Sequence, residues 1–327
     1  MGVSRRQAVT LCAAIAVWPW PTKAEGLPPP VFADFERPPD RGACEAAIEK
    51  GADFLSAPVC TARDGVLMAV ADSGLSEFTD VARRAEFADR RASRQGGAPD
   101  WFAEDFTSEE LKSVAVIGAE RSNRGAPSPR LLTFADLVAI AQAGSIRKAR
   151  VIGLAPRLPD RPAANPDLDP IVRLAQSLRL SGYNAKAAAA LVLAREPAQL
   201  LALGRLCAAR RVQIIDAVGG PAEPDAPRFA AIIEASGLAA VRGWAEAIAP
   251  AASLLIPAAP KPPLAGSGLT AAAHGAGLAV FVRAGAERDR EVLRDLLAAD
   301  CDGLMADDPG VAVKARDRQW RQRHASD

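Results

Sequence analysis

Short apolar runs bounded by polar or turn-forming residues recur along the chain, with longer mixed segments between them. Residues 31–33, 54–55, 66–70, 151–154, 190–193, 212–215, 254–256, 279–282 and 303–305 are rich in Val, Ile, Leu or Ala without polar alternation. This is the pattern of strands buried on both faces. The segments between most of them, as at 169–180, 197–210 and 288–299, are Ala/Leu/Arg-rich and long enough for helices. Residues 43–51 predict another helix, closed by Gly51. Strand followed by helix, repeated about eight times, predicts a parallel sheet with right-handed crossovers that closes on itself. The expected fold class is α/β, a TIM (β/α)8 barrel. An open doubly wound sheet is the alternative, and the lack of Gly-x-Gly-x-x-Gly after the first run weakens it.

The rhythm fails once. Residues 73–129 carry no run of the same kind and predict an insertion after the third strand, lying over the rim where barrel ligands bind. Within it, Thr107 or Ser108 opens a short helix with acidic residues in its first turn, and Glu104 and Asp105 are candidates to cap it. Phe78, Phe87, Trp101, Phe102 and Phe106 predict a small core belonging to the insertion.

At the N-terminus, Ser4-Arg5-Arg6 precedes a short, modestly apolar stretch that runs to Trp18, with Ala24 as the expected cleavage point. The arrangement predicts a twin-arginine export signal over residues 1–24 and a single barrel domain over 25–327, periplasmic or otherwise exported. The stretch is shorter than the ~20 apolar residues that span a bilayer, so the mature chain is expected to have no membrane span.

Composition narrows the chemistry. Of 327 residues, 49% are hydrophobic and 24% charged, enough apolar material for a large core. The formal net charge of +1 gives no basic face for nucleic acid. Cys44, Cys60, Cys207 and Cys301 are widely spaced, as buried thiols are, and no Cys-x-x-Cys or Cys/His cluster suits zinc. The chain has only 2 histidines, His274 and His324, which excludes a multi-histidine metal centre or a paired-histidine acid/base mechanism anywhere before them.

Several segments carry a resemblance. Ile48-Glu49-Lys50-Gly51-Ala52-Asp53, Thr61-Ala62-Arg63-Asp64-Gly65-Val66-Leu67, Leu75-Ser76-Glu77-Phe78-Thr79 and Trp101-Phe102-Ala103-Glu104-Asp105-Phe106-Thr107 occur in order. Ser181-Gly182-Tyr183-Asn184, Arg195-Glu196-Pro197, Gln213-Ile214-Ile215-Asp216 and Cys301-Asp302-Gly303-Leu304-Met305-Ala306-Asp307 follow. Together they resemble the periplasmic-type glycerophosphodiester phosphodiesterases. The resemblance implies a TIM barrel that hydrolyses glycerophosphodiesters to an alcohol and glycerol 3-phosphate. It also implies a divalent metal, commonly calcium or magnesium, held by carboxylates, with two histidines as acid and base. Hard cations take oxygen ligands and offset phosphate charge, and imidazoles titrate near neutral pH.

Carried over position by position, the machinery is substituted. The family's first-strand His-Arg-Gly falls on Ala33-Asp34-Phe35-Glu36, and its Glu-Pro-Asp falls on Ser56-Ala57-Pro58. The His-Asp pair falls on Ala71-Asp72, and the Pro-Glu-x-Lys motif on Pro156-Arg157-Leu158-Pro159. The expectation is a catalytically degenerate, exported member of the family that takes no metal and no other cofactor. Asp34, Asp72, Arg157 and Asp307 remain at the strand ends as candidate pocket residues for a phosphodiester or related small anion, Arg157 offering a planar fork. The competing assignment is that Arg157 simply pairs with Asp34 or Asp72. The alternative function is an active phosphoric diester hydrolase with a rearranged site, Arg157 as electrophile and Asp34 or Asp72 as base. Ser56 has neither a neighbouring histidine nor an elbow motif for a nucleophile, and His274 is expected at a helix end.

Overall fold

A computed structural model describes residues 27–71, 74–94, 97–117, 129–161, 163, 165–222, 225–256 and 268–324. The expected export signal and the candidate Asp72 lie outside the described residues. The described residues form ten strands: β1 (Val31–Asp34), β2 (Phe54–Ser56), β3 (Cys60–Thr61), β4 (Leu67–Met68), β5 (Gly153–Leu154), β6 (Leu191–Ala194), β7 (Arg210–Ile215), β8 (Ala247–Pro250), β9 (Ala279–Gly285) and β10 (Gly303–Ala306). Eight make one parallel sheet in the order β5-β2-β1-β10-β9-β8-β7-β6. Its two edges meet through parallel bridges Leu154–Ala190 and Arg157–Leu193, so the sheet curls into the expected barrel.

The strands differ from the pattern in two places. Residues 66–70 do not enter the barrel: β3 and β4 pair antiparallel as a ribbon, and the third barrel strand is β5. The segment between barrel strands two and three is therefore longer than expected and begins directly after β2. The cause is local, because Asp64-Gly65 between two apolar runs is a hairpin signal and Gly65 adopts φ +81. Residues 254–256 are not a strand either. The sixth strand of the ring is instead the alanine-rich β8, whose Ala247, Ala249 and terminal Pro250 hide it from an apolar count.

The barrel interior is filled by aromatic rings. Phe32 and Phe54 stack with centroids 4.7 Å apart, and Phe281 lies 5.2 Å from Phe32. Glycine makes the room: a Cβ on Gly153 would come within 2.2 Å of the Phe54 ring, and one on Gly303 within 3.0 Å of Phe281. Burying each such ring contributes about 2 kcal/mol from area alone.

At the N-terminal end one device repeats. A carboxylate placed just before a strand accepts a backbone N–H of the neighbouring strand and is itself neutralised. Asp53 accepts from Val31 N (2.9 Å) and pairs with Arg150 and Arg316, both at 2.8 Å. Glu246 accepts from Arg211 N and pairs with its guanidinium, again at 2.8 Å. Asp302 accepts from Val280 N and from His274 Nε2, each at 2.8 Å. His274 is thus a helix-end residue, near the end of helix Leu269–Gly275, as its sequence context implies.

The inserted segment has its own apolar core, in which Leu75, Val81, Phe87, Trp101, Phe106, Leu111 and Leu131 pack on Met68 and Val70 of the ribbon. Of the aromatic set, Phe87, Trp101 and Phe106 are in it, whereas Phe102 lies under Arg94, 4.4 Å from its guanidinium. Helix Ser108–Ser113 starts at Thr107 as expected, but the cap is a reciprocal Thr107–Glu110 box. Glu104 and Asp105 instead pair with Arg94. Arg37, in the loop after β1, lies 5.5 Å from the Phe78 ring, so the insertion meets the barrel at its C-terminal rim.

Candidate functional site

The C-terminal strand ends form a polar mouth above the aromatic plug. Register pairs Asp34 with Ser56 across β1 and β2, and Ala33 with Ala306 across β1 and β10. Asp307, Asp34 and Ser56 therefore stand in one row. Asp34 is 4% exposed, and its Oδ1 accepts from Ser56 Oγ at 2.7 Å and from Arg157 Nη1 at 3.0 Å. Arg157 Nη2 donates to the Phe35 carbonyl at 3.0 Å. The Arg157 backbone is held on one side by Ala57 O and Val59 N, both at 2.9 Å, beyond β2, and on the other bridges Leu193 where the two barrel edges meet. The guanidinium, 14% exposed, is thus fixed from both ends. Of the two assignments left open by the sequence, the pairing of Arg157 with Asp34 is the one formed.

The other substituted positions surround this pair without adding chemistry. Pro58 bridges to Arg157 through the backbone, the Pro159 carbonyl accepts from Gln199 Nε2 at 2.7 Å, and Ala71 follows the ribbon. Asp307 continues from β10, and its N–H donates to the Gly285 carbonyl at 3.0 Å. Among the described residues its carboxylate has no hydrogen-bond or ion-pair partner. Partial burial, then the charges of Glu36 and Asp34, push the Asp307 carboxyl up to about 6, against the pull of Arg157 and Arg288.

The opposite half of the mouth holds a network that sequence reasoning missed. Arg195, after β6, donates Nε to Asp216 at 2.7 Å and Nη1 to Asp160 at 2.9 Å. Arg283, on β9, donates to the other Asp216 oxygen at 2.6 Å. Burial works against the Asp216 charge, but the two arginines hold its carboxyl below the usual range. Burial also works against the Arg195 charge, and Asp160 and Asp216 outweigh it. The available signal was a charged residue one or two positions after the runs at 190–193 and 212–215.

The His274 ring does not reach this mouth. His274 is bonded to Asp302, which precedes β10 at the opposite end of the barrel, and His324 closes the last helix. An open cavity of about 450 Å³, lined by Lys186, Arg205, Arg211 and Glu246, also lies at the N-terminal end, away from the row of Asp34.

Residues 42–311 match the glycerophosphoryl diester phosphodiesterase family. The chain belongs to that family. It is 34% identical over 120 residues to glycerophosphodiester phosphodiesterase GDPD6 of Arabidopsis thaliana, a stretch of 34% of this chain and only 30% of that relative's length. A putative glycerophosphoryl diester phosphodiesterase from Silicibacter pomeroyi superposes with a TM-score of 0.63 at 13% identity, covering 95% of this chain and 98% of that one. An Oleispira antarctica phosphodiesterase in complex with the product sn-glycerol-3-phosphate superposes with a TM-score of 0.62 at 15% identity, over 89% and 97%. These likenesses show the fold.

Family membership corrects one expectation. The family consists of metal-dependent phosphodiesterases, so a chain that takes no cofactor does not follow from its substitutions, and the cofactor stays unassigned. The donors present do not fit a cation as they stand. Among the described residues no three His, Cys, Asp or Glu side chains converge. Asp34 Oδ1 is already bonded to Arg157 and Ser56. No chemical step is therefore derived through a metal.

Proposed function

We propose that this chain is an exported glycerophosphodiester phosphodiesterase-family protein whose barrel mouth binds a phosphodiester or related small anion and has lost the family's hydrolytic turnover. The observation that carries the reading is the Arg157–Asp34 pair, a guanidinium and a carboxylate where the resemblance calls for metal-binding carboxylates and an imidazole. Two Arg157 N–H groups are used by Asp34 and Phe35, which leaves part of the fork to meet an anion at the rim. The Oleispira antarctica relative is in complex with sn-glycerol-3-phosphate, which supports a ligand of this class. Calorimetric titration of glycerophosphodiesters into the purified chain, alongside Arg157→Ala, tests it. Heat of binding that is lost in the variant supports the reading, and no binding to either protein overturns it.

Export rests on Ser4-Arg5-Arg6 and the apolar stretch after it. Fusion of residues 1–24 to a folded reporter, with and without Arg5→Lys/Arg6→Lys, tests it by the reporter's compartment.

A second reading is favoured by one observation. Asp307, titrating near 6 at the mouth, is a group able to move a proton near neutrality without histidine. On that reading the chain is an active phosphoric diester hydrolase with a rearranged site, and Asp307→Asn abolishes a turnover that the wild-type chain displays.

A further inference from the structure

Two carboxylates stand side by side at the mouth with different fates. The register that pairs Ala33 with Ala306 makes Asp34 and Asp307 neighbours on adjacent parallel strands, about 5 Å apart along the sheet. Asp34 is neutralised by Arg157 and bonded by Ser56. Asp307 is left without a partner among the described residues and shares the rim with Glu36.

We propose that capture of an anion at this mouth takes up one proton, carried by Asp307, so that affinity rises as the pH falls. The inference rests on the anion-binding reading above and adds its regulation. An anion met by the free edge of Arg157 shares the strand-end row with Asp307, and a second negative charge brought into that row disfavours the ionised carboxylate. The groups facing Asp307 are Asp34 and Glu36 from β1 and its loop, Arg157 from the barrel closure, and Arg288 from the segment after β9. The next residue, Asp308, is occupied by Lys50 at 3.3 Å. Asp34 already accepts from Arg157 and Ser56, whereas Asp307 has no partner among the described residues, so the proton is assigned to Asp307.

The sign follows from linkage. In the free chain the Asp307 carboxyl titrates at about 6, and a bound anion raises it further. Affinity is therefore level below that value, falls as the pH rises through the interval between free and bound forms, and levels again above it.

The test is isothermal calorimetry with glycerophosphoglycerol, whose single diester charge is constant over the range, on the full chain and on Asp307→Asn. The variant is nearly isosteric and sits at an exposed position. Expected are an affinity about tenfold higher near pH 5.5 than near pH 7.5 in the wild type, net proton uptake in buffers of differing ionisation enthalpy, and a flat profile in Asp307→Asn at the wild-type low-pH affinity. Binding that is flat in the wild type, or that keeps its slope in Asp307→Asn, overturns the proton coupling and leaves anion binding standing. No binding at any pH in either protein overturns the anion-binding reading itself.

Discussion

The Asp34 carboxylate and the Arg157 guanidinium, 123 positions apart in the chain, meet at 3.0 Å across the end of β2, which lies between β1 and β5 in the sheet. The pair is largely buried, so its worth lies in not being broken. Arg157→Met leaves an uncompensated carboxylate beside Ser56 and is expected to cost about 3 kcal/mol in urea unfolding, whereas the double variant Asp34→Asn/Arg157→Met recovers most of that loss. A double variant whose loss equals the sum of the losses of Asp34→Asn and Arg157→Met measured singly would show that the two charges are not coupled.

Gly153 is expected to be intolerant for a different reason. It faces the Phe54 ring at a distance no Cβ tolerates. Gly153→Ala should lower stability by about 1–3 kcal/mol through forced movement of the aromatic plug. The combination Gly153→Ala/Phe54→Leu should recover part of it, as read by thermal denaturation.

Acid should loosen the insertion before the barrel. Arg90 bonds Glu110 through two contacts of 2.8 Å, and these, with the Thr107 cap, push the Glu110 carboxyl down to about 2. A carboxyl depressed in the folded state stabilises above its ordinary value and loses that contribution as the pH falls from about 4.5 toward 2. Trp101 packs in the same cluster and donates to the Phe87 carbonyl, so its fluorescence should report the change. Glu110→Gln should already be loosened at neutral pH and show a flatter acid response.

The thiols give an independent check on packing. Cys44, Cys207 and Cys301 are buried and unpaired. Burial pushes all three thiols up, Cys301 to about 12. In native protein they should resist a thiol reagent at neutral pH and react together only on unfolding. Rapid modification of Cys44 or Cys301 without denaturant would contradict the buried placement.

Much of the barrel was legible because strands covered on both faces must be apolar throughout, as at residues 190–193, 212–215 and 303–305. β8 was not, since Ala247 and Ala249 fill little volume and register weakly on any apolar scale. The ribbon was misread as a barrel strand because residues 66–70 are as apolar as a buried strand, and only the Asp64-Gly65 turn distinguishes them. At the site, Asp34, Ser56 and Arg157 could be named from strand ends alone. The Arg195–Asp216–Arg283 network could not, because it depends on β9 lying two strands from β7 around the ring, a relation that no local pattern carries. The helix-end placement of His274 was legible from its alanine-rich context before Gly275.

The central claim is that this mouth holds an anion without hydrolysing a diester. The most direct measurement is release of sn-glycerol 3-phosphate from glycerophosphocholine by the purified chain, followed with calcium, with magnesium and with a chelator. The account predicts no release above the protein-free rate under any of the three conditions. Turnover that rises with either metal and vanishes on chelation would contradict it.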